Sequence, residues 1–241
     1  MTHGRRIAAT ATAGLLAGGV LFTVPAASAE QDTSQNRGSA KTVSLRAQLG
    51  ELNGSGASGT AFATVRNQKI RDISVMAQGL SPTGAMAPHA MHIHYGDTAR
   101  NECPTLGMDD TDGNGLLNTV EGVPAYGPIV TSLTTSGDTS PASGLAVDRF
   151  PTANAQGFLS YSRSTIEFTD VAGTGPGGGT GTAKTIADSI RDGEGVVVIH
   201  GVDLNRNGMY DFEAAGASEL DPSLPQEATA PAACGVLHHD H

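Results

Sequence analysis

Apolar and polar residues alternate along TVSLRAQLG (42–50), the period of a strand with one face buried. ASGTAFATVRN (57–67) and IRDISVMAQGL (70–80) predict two more strands across a tight turn. HAMHIHY (89–95) and GFLSYSRSTIEFTD (157–170) follow as further strands. GVVVIHG (195–201) is apolar nearly throughout, as in a short buried strand, and AACGVL (232–237) is the last. AKTIADSIRDG (183–193) has room for two helical turns, and GTGPGGGTGT (173–182) has the composition of a flexible loop. Residues 96–150 and 202–230 show little periodicity and form two long loops. Loops of that length in a compact domain are usually functional or structured by a metal. These spacings predict an all-β domain over residues 41–237, a Greek-key β-sandwich or barrel of seven to eight antiparallel strands with two long metal-structured loops. Residues 238–241 are expected to be a tail.

Composition agrees with many short strands joined by glycine turns. The chain of 241 residues has 32 glycines and no tryptophan, which long packed helices would not favour. Its start has a separate character. A short basic stretch ending in Arg5 and Arg6 precedes an apolar run (7–24) and then a small-residue site, Ala27-Ser28-Ala29. This is the pattern of a secretory leader (1–29) cleaved after Ala29, with 30–40 a polar, disordered linker. The arginine pair leaves twin-arginine export open beside the general route. The remainder carries 12 basic against 24 acidic residues, a net charge of about −12. That excludes nucleic acid and anionic membrane surfaces as natural partners, since both need clustered cations. Export also places Cys103 and Cys234 in an oxidising compartment, where they are expected to pair.

The histidines carry the clearest chemistry. His92 and His94 are two apart in a strand, so both imidazoles leave the same face. Two such rings on rigid backbone are a ready pair of nitrogen ligands for copper or zinc. His200 ends the VVVIHG strand, where a chain leaves the core, and a third imidazole suits a redox copper ion. His89 has the opposite parity, and the turn at Pro88 leaves its direction open.

Three segments together, HAMHIHYGDTARNEC (89–103), VVVIHGVD (196–203) and AACGVL (232–237), resemble signatures of the copper–zinc superoxide dismutases. Cys103 follows His94 by nine residues, as the disulfide cysteine does in that family. The segment SGTAFATVRNQKIRDISVMAQGLSPTG together with HIHYG is also similar to the chordin-type (CHRD) repeat. The resemblance implies an eight-stranded Greek-key barrel, His92, His94 and His200 as copper ligands, and a Cys103–Cys234 bridge. The chain departs from the family at three points. Asp109 stands where the family has its copper–zinc bridging histidine. No histidine occurs between His94 and His200, so zinc is not expected at the family site. Pro231 stands where the family has its substrate-guiding arginine. Asp109 or water is expected to complete the copper coordination, and steering of the superoxide anion is expected to be weak.

Two acidic loops match calcium-loop spacing. Asp110, Asp112, Asn114, Gly115 and Glu121 fit D-x-D-x-N-G-x5-E in full. Asp203, Asn205, Asn207, Gly208 and Asp211 fit the first half, but the twelfth position is Ala214. No amphipathic helix pair flanks either loop, so a complete EF-hand is not expected. Gly173, Gly175 and Gly178 meet G-x-G-x-x-G without a βαβ unit around them, which gives no dinucleotide site. Two functional readings stand. One is an exported, copper-dependent, superoxide dismutase-like enzyme acting on superoxide or another small molecule. The other is a non-catalytic secreted β-sandwich, CHRD-like, that binds copper, calcium or a partner surface. For the leader, Edman sequencing of the exported protein should begin at Glu30; a start at Met1 would show that the segment is retained.

Overall fold

The computed structural model describes residues 42–81 and 87–240. The expected leader and linker lie outside them. Nine strands form: β1 Thr42–Glu51, β2 Ser58–Arg66, β3 Lys69–Gln78, β4 Met91–His94, β5 Ile129–Ser132, β6 Leu159–Glu167, β7 Val196–His200, β8 Pro231–Val236 and β9 His238–His239. Four α-helices accompany them among the described residues, α1 Leu106–Asp109, α2 Thr119–Tyr126, α3 Ala183–Asp192 and α4 Gln226–Thr229, with three single-turn 3-10 helices. The strand order is β5-β4-β7-β8-β1-β2-β3-β6, with β9 on β1. Every pairing between these strands is antiparallel. The sheet curls into a half-barrel, so the expected all-β barrel or sandwich class holds. The chain passes between the half β1-β2-β3-β6 and the half β5-β4-β7-β8 at β3 to β4, β5 to β6 and β6 to β7, and returns to β1 with β9.

Burial follows the sequence period. In β1, Val43, Leu45, Ala47 and Leu49 face the core while the residues between them face water. Strand β7 breaks that pattern, because it is covered on both sides. Val197 and Ile199 enter the main core, whereas Val196 and Val198 pack with Tyr126 and Cys234 in a second cluster. Strand β4 divides in the same way. Met91 and Ile93 join the main core, and His92 and His94 occupy the opposite face, aligned with Val198 and Val196 of β7. A continuous apolar run is the mark of a strand buried on both faces. Cys103 and Cys234 are joined, with Cα atoms 5.7 Å apart across 131 residues of sequence. The bridge ties the start of the long loop to β8, beside that second cluster.

Helix α3 realises the expected helical turns over ten residues, with Ile186, Ala187 and Ile190 buried. Thr182 caps its first turn and Gly193 ends it in the left-handed region. Other elements differ from expectation. The long loop 96–150 contains β5, α1 and α2. Strand β5 has only four residues and three of them are buried, so it gives no alternating signal. The expected tail contributes β9, held on β1 through Leu45 and Arg46. The glycine-rich 173–182 loop is pinned by a two-way backbone pairing of Val171 with Gly181. Among the described residues no helix is long and apolar enough to cross a membrane.

Closing a loop this long restricts the unfolded chain strongly. The double substitution Cys103→Ser with Cys234→Ser should therefore lower unfolding free energy by about 2–5 kcal/mol, read from urea denaturation under oxidising conditions.

Candidate metal centre

His92 and His94 reach the centre from β4 and His200 from the end of β7, all three buried. Their ring centroids lie 5.6 Å (92–94), 5.1 Å (92–200) and 6.2 Å (94–200) apart. One ring nitrogen of each lies within 4.8 Å of one from each of the others. The backbone fixes every ring. His92 Nε2 donates to the Gly144 carbonyl (3.1 Å), His94 Nδ1 to that of Gly127 (2.9 Å) and His200 Nδ1 to that of Thr229 (2.7 Å). A carbonyl only accepts, so each of those nitrogens carries the hydrogen. The lone pairs of the neutral rings then sit on His92 Nδ1, His94 Nε2 and His200 Nε2, and these buried nitrogens have no hydrogen-bond partner.

The surroundings keep the rings neutral. Burial pushes His94 down to about 3, with further repulsion from His200. Burial pushes His200 down to about 4. His92 lies well below its ordinary value, through burial first and then the two neighbouring histidines. Neutral imidazoles with a fixed outer nitrogen are the form in which histidine ligates a metal. The buried group can hold a metal ion. Aromatic rings complete its walls: Tyr126 lies 4.4 Å from His94 and Phe150 5.3 Å from His92, between centroids.

The supporting carbonyls carry no sequence motif of their own. Gly127 ends α2 at φ +84°, and a Cβ there would meet the Tyr95 carbonyl carbon at 2.5 Å and the Gly96 nitrogen at 2.6 Å. Only glycine can therefore present that carbonyl to His94. His89 stands outside the group: its Nδ1 donates to the His200 carbonyl (2.9 Å), so it supports the strand end. Asp109, expected to complete the copper coordination, also stands outside. Its carboxylate accepts from Arg100 Nη2 (2.6 Å) and the Thr105 amide (2.8 Å), so it closes α1 onto the preceding loop. Pro231 pairs in register with His200 and brings no cation.

In the first acidic loop, Asp110, Asp112 and Glu121 each place a carboxylate oxygen within 4.8 Å of the others, close enough to hold a cation. Asn114 is hydrogen-bonded to Asp112 in the same loop (2.9 Å). Glu121 also begins α2, in a reciprocal cap with Asn118. Its Oε1 accepts from the amides of Thr111 (2.8 Å) and Asp112 (3.3 Å), and Oε2 from that of Asn118 (3.1 Å).

The second loop repeats this architecture with a residue that sequence reading missed. Asp203 accepts from the amides of Asn207 (3.1 Å) and Gly208 (2.9 Å), as Asp110 does from Asn114 (3.2 Å) and Gly115 (2.9 Å). Glu227 of α4 takes the place that Glu121 has in the first loop. Its Oε1 accepts from Leu204 (2.7 Å) and Asn205 (3.3 Å), and Oε2 from Asp211 (2.8 Å), at the corresponding loop positions. The amide acceptor that the local twelfth position lacks is thus supplied from a distant segment, which local spacing cannot reveal. Asp211 is turned toward Asn205 and Asn207. Among the described residues, no three acidic or histidine groups of this loop approach as closely as those of the first.

No family model matches the chain, and no curated protein matches it.

Glu227 is fully buried at 0 % exposure, and its removal strands three backbone donors. Glu227→Ala should cost about 2–4 kcal/mol in urea unfolding, and Glu227→Gln, which keeps one acceptor oxygen, distinctly less.

Proposed function

We propose that this chain is an exported, copper-binding protein of the superoxide dismutase kind, with copper held by His92 Nδ1, His94 Nε2 and His200 Nε2. One observation carries the reading: three buried imidazoles bring one nitrogen apiece within 4.8 Å of one another, and each ring has one nitrogen fixed on a carbonyl and the other without a partner. An all-imidazole set without thiolate or carboxylate suits copper, and this set accepts both oxidation states. The order of His92, His94, Cys103, His200 and Cys234 along the chain supports the same reading, as does the Cys103–Cys234 bridge.

Bound copper would supply the one-electron exchange that superoxide dismutation needs. The residues of the chain hold the three rings in place and exclude bulk water from them. The rate is expected to be low. The cavity that reaches His92 and His200 is lined by no lysine or arginine among the described residues, and the whole chain carries a net charge of −10. Both features remove attraction for an anion. The same absence favours the second reading, a secreted β-sandwich that holds copper without turnover.

Copper loading of the full chain, followed by metal analysis and superoxide decay, separates these readings. His92→Ala with His94→Ala should abolish tight copper uptake, and unchanged copper content would overturn the site. A copper-loaded parent that speeds superoxide decay, beside a silent His200→Ala control, supports the enzyme. Copper uptake without any acceleration supports the non-catalytic protein.

A further inference from the structure

The way in to the histidine cluster is apolar. A cavity of about 350 Å³ opens onto His92 and His200. It is walled by Leu145 and Val147 from the segment after β5, and by Leu220 and Leu224 from the segment before α4. No charged side chain lines it among the described residues, and beyond the two histidines its polar side chains are two threonines. Leu145 and Leu220 stand at 41 % and 42 % exposure, so the apolar wall is continuous with the surface and open to a ligand from solvent. His92 and His200 belong to its wall, and each has one buried ring nitrogen, Nδ1 and Nε2 respectively, without a hydrogen-bond partner. A volume above about 300 Å³ with an apolar wall and a few convergent polar atoms is the usual form of a small-molecule site.

We propose that this cavity binds a small, uncharged, largely apolar organic molecule with a single polar head, such as a phenol or an aromatic amine. The head points at His92 and His200, and the apolar body lies against the leucines. A charged ligand would lose its hydration here without gaining a counter-charge. The volume is too small for a helix or a folded partner, so the occupant is a small molecule. The proposal rests on the metal-centre reading only for what faces the head: a metal ion when the centre is loaded, the bare imidazoles when it is not.

The probe is N-phenyl-1-naphthylamine, an uncharged dye that brightens in apolar sites, compared with its sulfonated analogue anilinonaphthalene sulfonate. Both are titrated into the full chain. The neutral dye should bind at least about tenfold more tightly than the sulfonate. Leu145→Asp and Leu220→Asp, on separate segments of the wall, should each weaken the neutral dye by about tenfold or more, with circular dichroism melts showing that they fold. Equal affinity in the parent and both variants, or tighter binding of the sulfonate, overturns the proposal. His94→Ala keeps the two failures apart, since His94 does not line the cavity. This variant should lose copper and still bind the dye. Dye binding in a parent that takes up no copper leaves the pocket standing and removes the metal reading. Copper uptake without dye binding does the reverse.

Discussion

Strands β4 and β7 run side by side with neither face open to water, and the rest of the molecule follows from that arrangement. One face of the pair, Met91, Ile93, Val197 and Ile199, enters the main core. The other carries Val196, Val198 and the imidazoles of His92 and His94. Buried imidazoles are costly unless each is hydrogen-bonded, and the loops over this face supply the acceptors. Gly127, Gly144 and Thr229 come from three separate segments, and each contributes one carbonyl. The long connections are therefore structural parts of the centre. They supply its outer hydrogen bonds while the ladder beneath supplies the rings.

The same division explains what was legible in the sequence. Strands with one wet face, such as β1, declared themselves by alternation, and β7 by its unbroken apolar run. The facing of His92 and His94 followed from strand period alone, whereas the meeting of His200 with them was implied by the family resemblance, since a strand end does not fix which strand pairs beside it. Asp109 misled because spacing says nothing about a neighbour. Arg100, nine residues earlier, claims its carboxylate. Strand β5 was invisible because four residues with three buried have no period to detect. The supporting carbonyls belong to the backbone, which composition does not mark. Glu227 escaped for another reason: the loop it completes lies well upstream, and only tertiary folding brings the two together.

The two acidic loops show one solution reached by two routes. Both fold around a leading aspartate that gathers successive amides, and both need glycine at the sixth position, where φ is +82° at Gly115 and +91° at Gly208. In the first, the closing carboxylate is local and begins α2. In the second it arrives from α4, two residues before Thr229, whose carbonyl holds His200. The second loop and the histidine centre thus draw a hydrogen-bond acceptor each from one short helix. A chain with high net negative charge has thus concentrated acid in its outer loops and kept it out of the cavity that leads to the histidines.

The Cys103–Cys234 bridge spans most of the connecting segments: α2, the glycine-rich 173–182 stretch, both the second acidic loop and α4, and β7 itself all lie between the two cysteines. A protease that cuts any one exposed peptide bond in that interval leaves two pieces still covalently joined. His92 and His94 would sit on one piece, and His200 on one or the other according to where the cut falls. A single nick there would then not release any of the three imidazoles from the assembly.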